Sequence, residues 1–388
     1  MTQGINVLIV DSDAAVRQII SRVIAVLPDI QSVDSAINGR VAIAKLKNKE
    51  IDLVLLELAP PETEGLETLK AIKASFPGAF VVMVSQSQGN NTDNVVKALE
   101  IGALDFVNKL ILNDDNSQRE FRLRLLTIIG LIQSRKNMQR VKSFSYPMSD
   151  MGKRNPTSEK KIELPAKALS PTPVEKAWPR KKTAFIMSRV DIVVIAASTG
   201  GPNALVKVIP ALPGNLGVPV LIVQHMPPVM TDFLAKSLDE KSSLHVKEAV
   251  EGEVILANTV YIAPGGKHMT VFKENGEGSG NSIKYIRLND APPENSVRPS
   301  ADVLFRSIPG AYGVNILSVI MTGMGNDGMR GVQKMKEEGC YCLSQSEETC
   351  VVYGMPKAVD MAGLSDENVP LEHLAERIGE VVMRAIVK

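Results

Sequence analysis

The sequence predicts an α/β protein made of two domains and a linker. At 388 residues the chain is longer than one hydrophobic core usually supports. In both halves, short runs rich in Val and Ile alternate with amphipathic stretches, which is typical of parallel sheets covered by helices. Between the halves the composition shifts toward Pro, Lys and Arg. We therefore expect a domain over 1–134, a linker over 135–188 and a second domain over 189–388.

The overall composition excludes several classes of protein. Hydrophobic residues make up 44% of the chain, charged residues 22%, and the net charge is +1, so no global field favours nucleic acid or membrane. No apolar run approaches the roughly 18 residues of a spanning helix, and the first residues lack a signal-peptide pattern. We expect a cytoplasmic protein with no membrane insertion and no nucleic-acid partner. Its cysteines, Cys340, Cys342 and Cys350, are interpreted as reduced core thiols rather than metal ligands.

The first domain shows three buried-strand patterns separated by helical ones. A further amphipathic stretch at 121–132 fits a last covering helix. This alternation predicts a parallel sheet of five strands with right-handed crossovers and five helices. The strand patterns are Asn6–Val10, Asp52–Leu58 and Ala79–Ser85, and the helical patterns between them include Ala14–Leu27 and Gly65–Ala74.

The segment between the domains is basic and rich in proline. From Arg135 to Lys182 there are 13 Lys or Arg and 4 Asp or Glu. With few apolar residues and no sustained period, it is predicted to be a linker. It is either a plain tether or a contact for an anionic surface, and Trp178 could anchor it to a domain.

The second domain is predicted to be a doubly wound, mostly parallel sheet with a β-hairpin insertion. Three apolar runs, Val190–Ala197, Val218–Gln224 and Gly313–Met321, each end in a polar loop. The segments 251–256, 259–264, 269–272 and 283–288 are assigned to the hairpin region. An amphipathic helix over Leu371–Val387 closes the chain.

The three strand ends carry Ser198, His225 and Asp327. A hydroxyl becomes a good nucleophile when an imidazole takes its proton and a carboxylate orients that imidazole. Strand ends of a parallel sheet share one edge, so the three side chains can converge although they are far apart in sequence. The pattern therefore predicts a serine hydrolase. His268, beside a predicted turn, is interpreted as structural.

Other interpretations of these loops stay open on the residues alone. A nucleotide-binding domain could use Ser-Thr-Gly-Gly (198–201) and Gly-Met-Gly-Asn-Asp-Gly (323–328) as phosphate loops. Neither loop contains a Lys or Arg, and the dinucleotide and P-loop patterns are absent. The serine-hydrolase elbow G-x-S-x-G is absent as well. A non-catalytic signalling adaptor is the third possibility.

Six motifs in order resemble the chemotaxis protein-glutamate methylesterase family, of the CheB type. They are Ala-Ser-Thr-Gly-Gly-Pro (197–202), Gln-His-Met-Pro-Pro (224–228), Tyr-Ile-Ala-Pro-Gly-Gly-Lys-His-Met (261–269), Arg-Pro-Ser-Ala-Asp-Val-Leu-Phe (298–305), Thr-Gly-Met-Gly-Asn-Asp-Gly (322–328) and Cys-Val-Val-Tyr-Gly-Met-Pro (350–356). The resemblance implies an esterase that demethylates glutamate side chains of methyl-accepting chemotaxis receptors and often deamidates receptor glutamines. It needs no cofactor, and a chemotaxis histidine kinase is a second implied partner.

The same resemblance implies roles for individual residues. Ser198 is the nucleophile, His225 the general base and acid, and Asp327 the residue that orients the histidine. Thr199 would help to hold the histidine, and the backbone N–H of Met324 would serve the oxyanion. Arg298 matches a position near the active site and would bind the substrate's acidic surface or form a structural ion pair.

The first domain resembles a response-regulator receiver, but its phosphorylation site departs from that family. Glu57 stands where the acceptor Asp belongs, and Asp11-Ser12 replaces the paired acids that hold Mg²⁺, with Asp13 displaced by one. Ser85 and Lys109 match, whereas Leu110 replaces the usual proline. We therefore expect neither Mg²⁺ binding nor regulated phosphorylation here. The domain is then either a scaffold that keeps the fold for packing and partner contacts, or a switch locked by Glu57, whose longer side chain partly mimics a phosphorylated aspartate. We expect it to leave the esterase site open.

Overall fold

The computed structural model describes residues 4–58, 63–85, 92–109, 189–275 and 282–386. It also describes part of a helical stretch, at 118, 121–122, 125–126, 128–130, 132–133 and 136. Leu110, Trp178 and the predicted linker after Lys136 lie outside the described residues. No helix in the described ranges is both long and apolar enough to cross a membrane.

The first domain is a five-stranded parallel sheet with the order β2-β1-β3-β4-β5. The α/β prediction is confirmed, and the three predicted strands are the central ones, whose residues are almost all buried. The strands are β1 Ile5–Val10, β2 Ile30–Ala36, β3 Leu53–Leu58, β4 Phe80–Ser85 and β5 Asp105–Asn108; the helices are α1 Ala14–Ala25, α2 Gly39–Asn48, α3 Thr63–Ser75 and α4 Thr92–Ile101.

The second domain is built on a seven-stranded sheet with the order β14-β13-β12-β6-β7-β9-β8. Every pair in it is parallel, so the carboxyl ends of β6, β7 and β12 share one edge. The sheet strands are β6 Ile192–Ala197, β7 Val220–Gln224, β8 His245–Glu248, β9 Thr259–Ile262, β12 Ile316–Ile320, β13 Tyr341–Gln345 and β14 Glu367–Val369. The helices are α5 Gly201–Val208, α6 Met230–Asp239, α7 Ala301–Tyr312, α8 Met329–Glu337, α9 Met355–Met361 and α10 Leu371–Ile386.

The predicted hairpin is smaller than the sequence suggested. Among the strands in the described ranges, only β10 His268–Asn275 and β11 Ser282–Asn289 pair in antiparallel fashion. The segment at 259–262 belongs to the main sheet instead, because its short, fully buried run suits a parallel strand between two neighbours. An isolated bridge from Val254 to Tyr285 ties the 251–256 segment to the hairpin.

Two smaller predictions about the second domain are confirmed. The apolar face of α10, including Leu374, Ile378 and Val382, is buried in the core. All three cysteines are buried and free.

The receiver packs against the second domain through α4. Asn203 Nδ2, in the first turn of α5, donates to the carbonyl oxygen of Ala103 over 3.0 Å. Ser237 of α6 and Lys241, two residues after the end of that helix, both contact the carboxylate of Glu100. Glu100, at the end of α4, therefore has partners on the other domain, and the expectation that the receiver leaves the esterase site open stays a prediction.

Apolar contacts accompany these polar ones. Leu99 of α4 and Leu205 of α5 belong to one continuous buried cluster that spans both domains. Val351 and Val352, on the loop after β13, pack against a second cluster that contains the receiver's Leu104 and Ile132. The interface therefore combines apolar burial with the ion pair between Glu100 and Lys241.

Candidate active site

Three adjacent strands bring the predicted catalytic residues to one edge of the sheet. Ala197 at the end of β6 is in register with Gln224 at the end of β7, so Ser198 and His225 follow side by side. On the other flank of β6, the Ser198 N–H donates to the carbonyl oxygen of Thr322 over 3.0 Å. Asp327 lies five residues further along that loop. The edge thus collects the side chains that the sequence predicted.

Two glycines let the chain turn directly after Ser198. Gly200 has φ 76°, in the left-handed region that favours glycine, and caps α5. A Cβ on Gly201 would lie 2.0 Å from Oε1 of Gln224. A side chain at Gly201 would therefore displace the Gln224 side chain and crowd Cβ of Ala197.

His225 is oriented by Asp327. Its Nε2 lies 2.8 Å from Oδ2 of Asp327, and both side chains are largely buried. Because Nε2 is taken, Nδ1 is the ring nitrogen available to Ser198. Within the described ranges the Ser198 hydroxyl has no hydrogen-bond partner; hydrogen bonds of this kind often tighten only when substrate is bound.

The Asp327 carboxylate is held by five donors. Besides His225, Oδ2 accepts from the Ala301 N–H at 2.6 Å, and Oδ1 accepts from Ser300 Oγ at 2.6 Å, Asn295 Nδ2 at 2.8 Å and the Asp302 N–H at 3.2 Å. Burial by itself would raise the pKa of Asp327. The hydrogen bonds from His225, Ser300 and Ala301 outweigh it and lower the pKa to about 2.

Sequence reasoning assigned no role to Asn295 or Ser300. Ser300 lies inside the Arg-Pro-Ser-Ala-Asp motif, which was the available signal. Its backbone N–H donates to Nδ1 of His268 over 3.2 Å, and Nε2 of His268 lies 3.1 Å from the carbonyl oxygen of Pro292. Nδ1 therefore accepts and Nε2 donates, which makes His268 neutral. This fully buried histidine supports Ser300, consistent with the structural interpretation.

The loop after β12 is pinned from several sides. The Gly323 N–H donates to the Val352 carbonyl oxygen over 3.0 Å, and the Gly323 carbonyl oxygen accepts from the Met355 N–H over 2.8 Å. A Cβ on Gly323 would lie 2.7 Å from Cβ of Ser198, so only glycine allows this approach. The next N–H, that of Met324, has no acceptor among the described residues.

Thr199 and Arg298 are held mainly through backbone groups. The carbonyl oxygen of Thr199 accepts from Thr322 Oγ1 over 3.0 Å. Its predicted support of the histidine stays a prediction. Arg298 Nη1 donates to the carbonyl oxygens of Asp290 at 2.9 Å and Ala291 at 3.0 Å. The two interpretations of Arg298, a contact for the substrate and a structural ion pair, both stay predictions.

The receiver's phosphorylation site is filled by an internal ion pair. Lys109 Nζ donates a hydrogen bond to Oε1 of Glu57 over 2.5 Å and another to Oδ1 of Asp11 over 3.1 Å. Oε2 of Glu57 reaches across to the Ser12 N–H at 2.6 Å. Asp13 is occupied in capping α1 through the Ala15 N–H at 2.8 Å. The extra methylene of Glu57 thus spans from β3 to the loop after β1.

The two carboxylates share Lys109 unequally. Burial raises the pKa of Asp11, and the nearby Glu57 adds to this effect. Burial also acts to raise the pKa of Glu57, but hydrogen bonds from Lys109 and Ser12 outweigh it and the pKa falls. The Lys109 pKa is raised, because the bonds to Glu57 and Asp11 overcome burial, which lowers it. Glu57 therefore stays ionised against a protonated Lys109. Ser85 is buried at the end of β4.

These residues do not fit the Mg²⁺ site of the receiver family. The Lys109 ammonium stands between the two carboxylates that a divalent cation would need, and Ser12 offers no carboxylate. In the described ranges no group of three or more His, Cys, Asp or Glu is arranged to hold a metal ion.

The low pKa of Asp327 predicts how acid affects stability. A carboxyl whose folded pKa is about 2 and whose ordinary value is 3.8 stabilises the fold above pH 4 and loses that contribution as the pH falls toward 2. We expect the gap in unfolding free energy between the native protein and Asp327→Asn to be about 1 kcal/mol smaller at pH 3 than at pH 5. Urea unfolding at both pH values measures it. Asp290→Asn, which changes an exposed carboxylate, is the control and should show no such dependence on pH. If the free-energy gap between the native protein and Asp327→Asn is the same at both pH values, the lowered pKa of Asp327 is contradicted.

Each domain is similar to a known protein family of its own. The CheB methylesterase family model matches residues 193–378, and the response regulator receiver domain model matches residues 7–119. The crystal structure of the Thermotoga maritima CheB methylesterase catalytic domain is 40% identical, covers 50% of this chain and 99% of that chain, and superposes with a TM-score of 0.47.

Relatives also match from end to end. A protein-glutamate methylesterase/protein-glutamine glutaminase of Desulfotalea psychrophila is 38% identical over 384 residues, covering 98% of this chain and 99% of the relative. A protein-glutamate methylesterase/protein-glutamine glutaminase 1 of Vibrio vulnificus is 34% identical over 380 residues, covering 97% and 98%. Because this identity extends through both domains, the chain belongs to the CheB-type protein-glutamate methylesterase/protein-glutamine glutaminase family.

Proposed function

We propose that the protein hydrolyses glutamyl methyl esters with Ser198, His225 and Asp327 as its catalytic triad. The observation that carries this proposal is the 2.8 Å contact between His225 Nε2 and Asp327 Oδ2, on the strand end next to Ser198. A buried carboxylate with a pKa of about 2 stays ionised throughout the neutral range. It can therefore fix the imidazole tautomer and stabilise the imidazolium during turnover.

The reaction proceeds in two halves. Ser198 Oγ attacks the ester carbonyl carbon while Nδ1 of His225 takes its proton. The imidazolium then returns a proton to the departing methoxy group, so methanol leaves and an acyl-enzyme remains. Water, deprotonated by His225, attacks the acyl carbon, and the proton returns to Ser198 Oγ as the glutamate is released. No step requires a cofactor.

The Met324 N–H is suited to stabilise the oxyanion. It follows Gly323, which lies against Ser198, and it has no acceptor within the described ranges. A fixed N–H beside the nucleophile stabilises negative charge on the tetrahedral intermediate without reorganising.

The substrates follow from the chemistry and from the names of the relatives. Those names describe both a protein-glutamate methylesterase and a protein-glutamine glutaminase. We assign this chain methyl-accepting chemotaxis receptors as its partners. With a glutamine side chain the same attack would release ammonia instead of methanol. A chemotaxis histidine kinase remains a candidate partner of the receiver.

The receiver, in this proposal, is not phosphorylated in the usual way. The carboxylate of Glu57 is already bound by Lys109 and by the Ser12 N–H. In-line attack on a phosphodonor needs a free carboxylate and a metal that offsets charge repulsion. Control of the esterase would then depend on the contacts between the domains.

The first prediction concerns the triad. Ser198→Ala, His225→Ala and Asp327→Asn should each lower turnover of a methylated receptor by about 10⁴ to 10⁶, because the three groups act as a unit. Methanol release measures it. His245→Ala, which changes an exposed histidine, is the control and should keep full activity. If Ser198→Ala keeps a tenth of the native rate, the nucleophile is misassigned.

The second prediction concerns the phosphorylation site. Acetyl phosphate with Mg²⁺ should leave no acyl-phosphate label on the native protein. Glu57→Asp alone should restore little, because Ser12 still offers no metal ligand. The pair Ser12→Asp with Glu57→Asp should restore labelling, since it supplies both the acid and the shorter acceptor. Mass spectrometry measures the label, and a label on Glu57 or Asp52 of the native protein would contradict the proposal.

The third prediction concerns the docked receiver. Glu100→Lys places a cation against Lys241 and should weaken docking beside α5, which begins directly after the Ser198 turn. We expect turnover to rise at least threefold, equivalent to about 0.65 kcal/mol. Adding Lys241→Glu should restore the native rate by rebuilding the pair with the charges exchanged. An unchanged rate in Glu100→Lys would mean that docking does not restrain the enzyme.

A further inference from the structure

Val229 is a β-branched residue in a backbone conformation that favours glycine. It follows Pro227 and Pro228 on the loop between β7 and α6, and its φ is 73°. At a positive φ the Cβ crowds the backbone, whereas Gly adopts such conformations freely. Strain of this kind persists only where the surroundings hold the residue in place.

The neighbouring backbone holds this loop firmly. Gly265 lies so close that a Cβ there would be 2.3 Å from the carbonyl carbon of Pro227. Its N–H donates to Oγ1 of the buried Thr231 over 2.9 Å. The carbonyl oxygen of Val229 accepts from the Phe233 N–H over 3.3 Å. The loop therefore has little freedom to relieve Val229 by moving.

The strained residue presents its side chain to solvent at the edge that carries the catalytic residues. Val229 is 57% exposed and lies four residues after His225. Because β6 lies between β7 and β12, the loops after those two strands flank Ser198. The loop after β12 also exposes an apolar side chain, that of Met324, at 50%. Val229 and Met324 thus expose apolar side chains on the two loops that flank the nucleophile.

We propose that the Val229 side chain is a specificity-determining apolar contact for the protein substrate beside the glutamyl methyl ester. This inference rests on the proposed function. The ester side chain is uncharged and ends in a methyl group, whereas the product is a carboxylate. Burying a charge beside an apolar group is costly, so such a contact favours substrate over product. An apolar side chain at this position therefore helps to select the methylated form.

Substitutions that keep the backbone and remove the apolar group test the proposal. In the full-length protein, Val229→Asn and Val229→Gly should lower kcat/KM for a methylated chemotaxis receptor at least fivefold, mainly by raising KM. Labelling of Ser198 by a fluorophosphonate should keep its native rate, since the triad is untouched. Val229→Gly should not lower the Tm, because glycine adopts this positive φ without a Cβ clash. Val229→Ile should retain the native kcat/KM.

A matched control is available on the same sheet edge. Val250 is 55% exposed and follows β8, which lies three strands from β6. Val250→Asn should leave receptor turnover unchanged. A kcat/KM within twofold of native in both Val229→Asn and Val229→Gly would overturn the inference. A fall in the rate of fluorophosphonate labelling as large as the fall in kcat/KM would also overturn it, because Val229 would then act through His225. Failure of the native protein to release methanol would instead refute the proposed function.

Discussion

The carboxylate of Asp327 is the group on which the catalytic site depends. Its five donors come from different parts of the fold: His225 follows β7, Ser300 and two backbone N–H groups belong to the start of α7, and Asn295 lies on the preceding loop. A helix N-terminus favours a negative charge, and buried charge must be fully hydrogen-bonded. The same carboxylate therefore orients the histidine and fastens α7 to the sheet edge.

The buried charged groups of the two domains are hydrogen-bonded in different ways. In the second domain, the donors around Asp327 leave one nitrogen of His225 available for chemistry. In the receiver, Lys109, Glu57 and the Ser12 N–H satisfy one another. Removing one partner of this partly buried pair would leave the other charge poorly compensated. The receiver site is thus an internal bridge between β3 and the loop after β1.

Most of the fold and the residues at the centre of the site could be predicted from the sequence. The same physical reasons explain why Asn295, strand β8 and the contact between the domains could not. Buried parallel strands are nearly continuous apolar runs, so their ends, with Ser198 and His225, could be located directly. Asn295 supports the site from a loop with φ 54°, which has no periodic signal. Short strands such as β8 are half-buried and lack a long apolar run. The pairing of Glu100 with Lys241 joins two surface charges, and no local pattern identifies partners of that kind.

The mixed character of the domain interface has a consequence for the conditions under which the receiver stays docked. The attraction between Glu100 and Lys241 acts between partly exposed charges, so added salt weakens it. The packing of Val351 and Val352 against the receiver is apolar, and such contacts weaken on cooling while salt leaves them largely intact. Cold, high-salt solution therefore favours separated domains, whereas warm, dilute buffer favours the docked form. The balance between the two forms follows the physical environment of the cell as well as any signal carried by a partner protein.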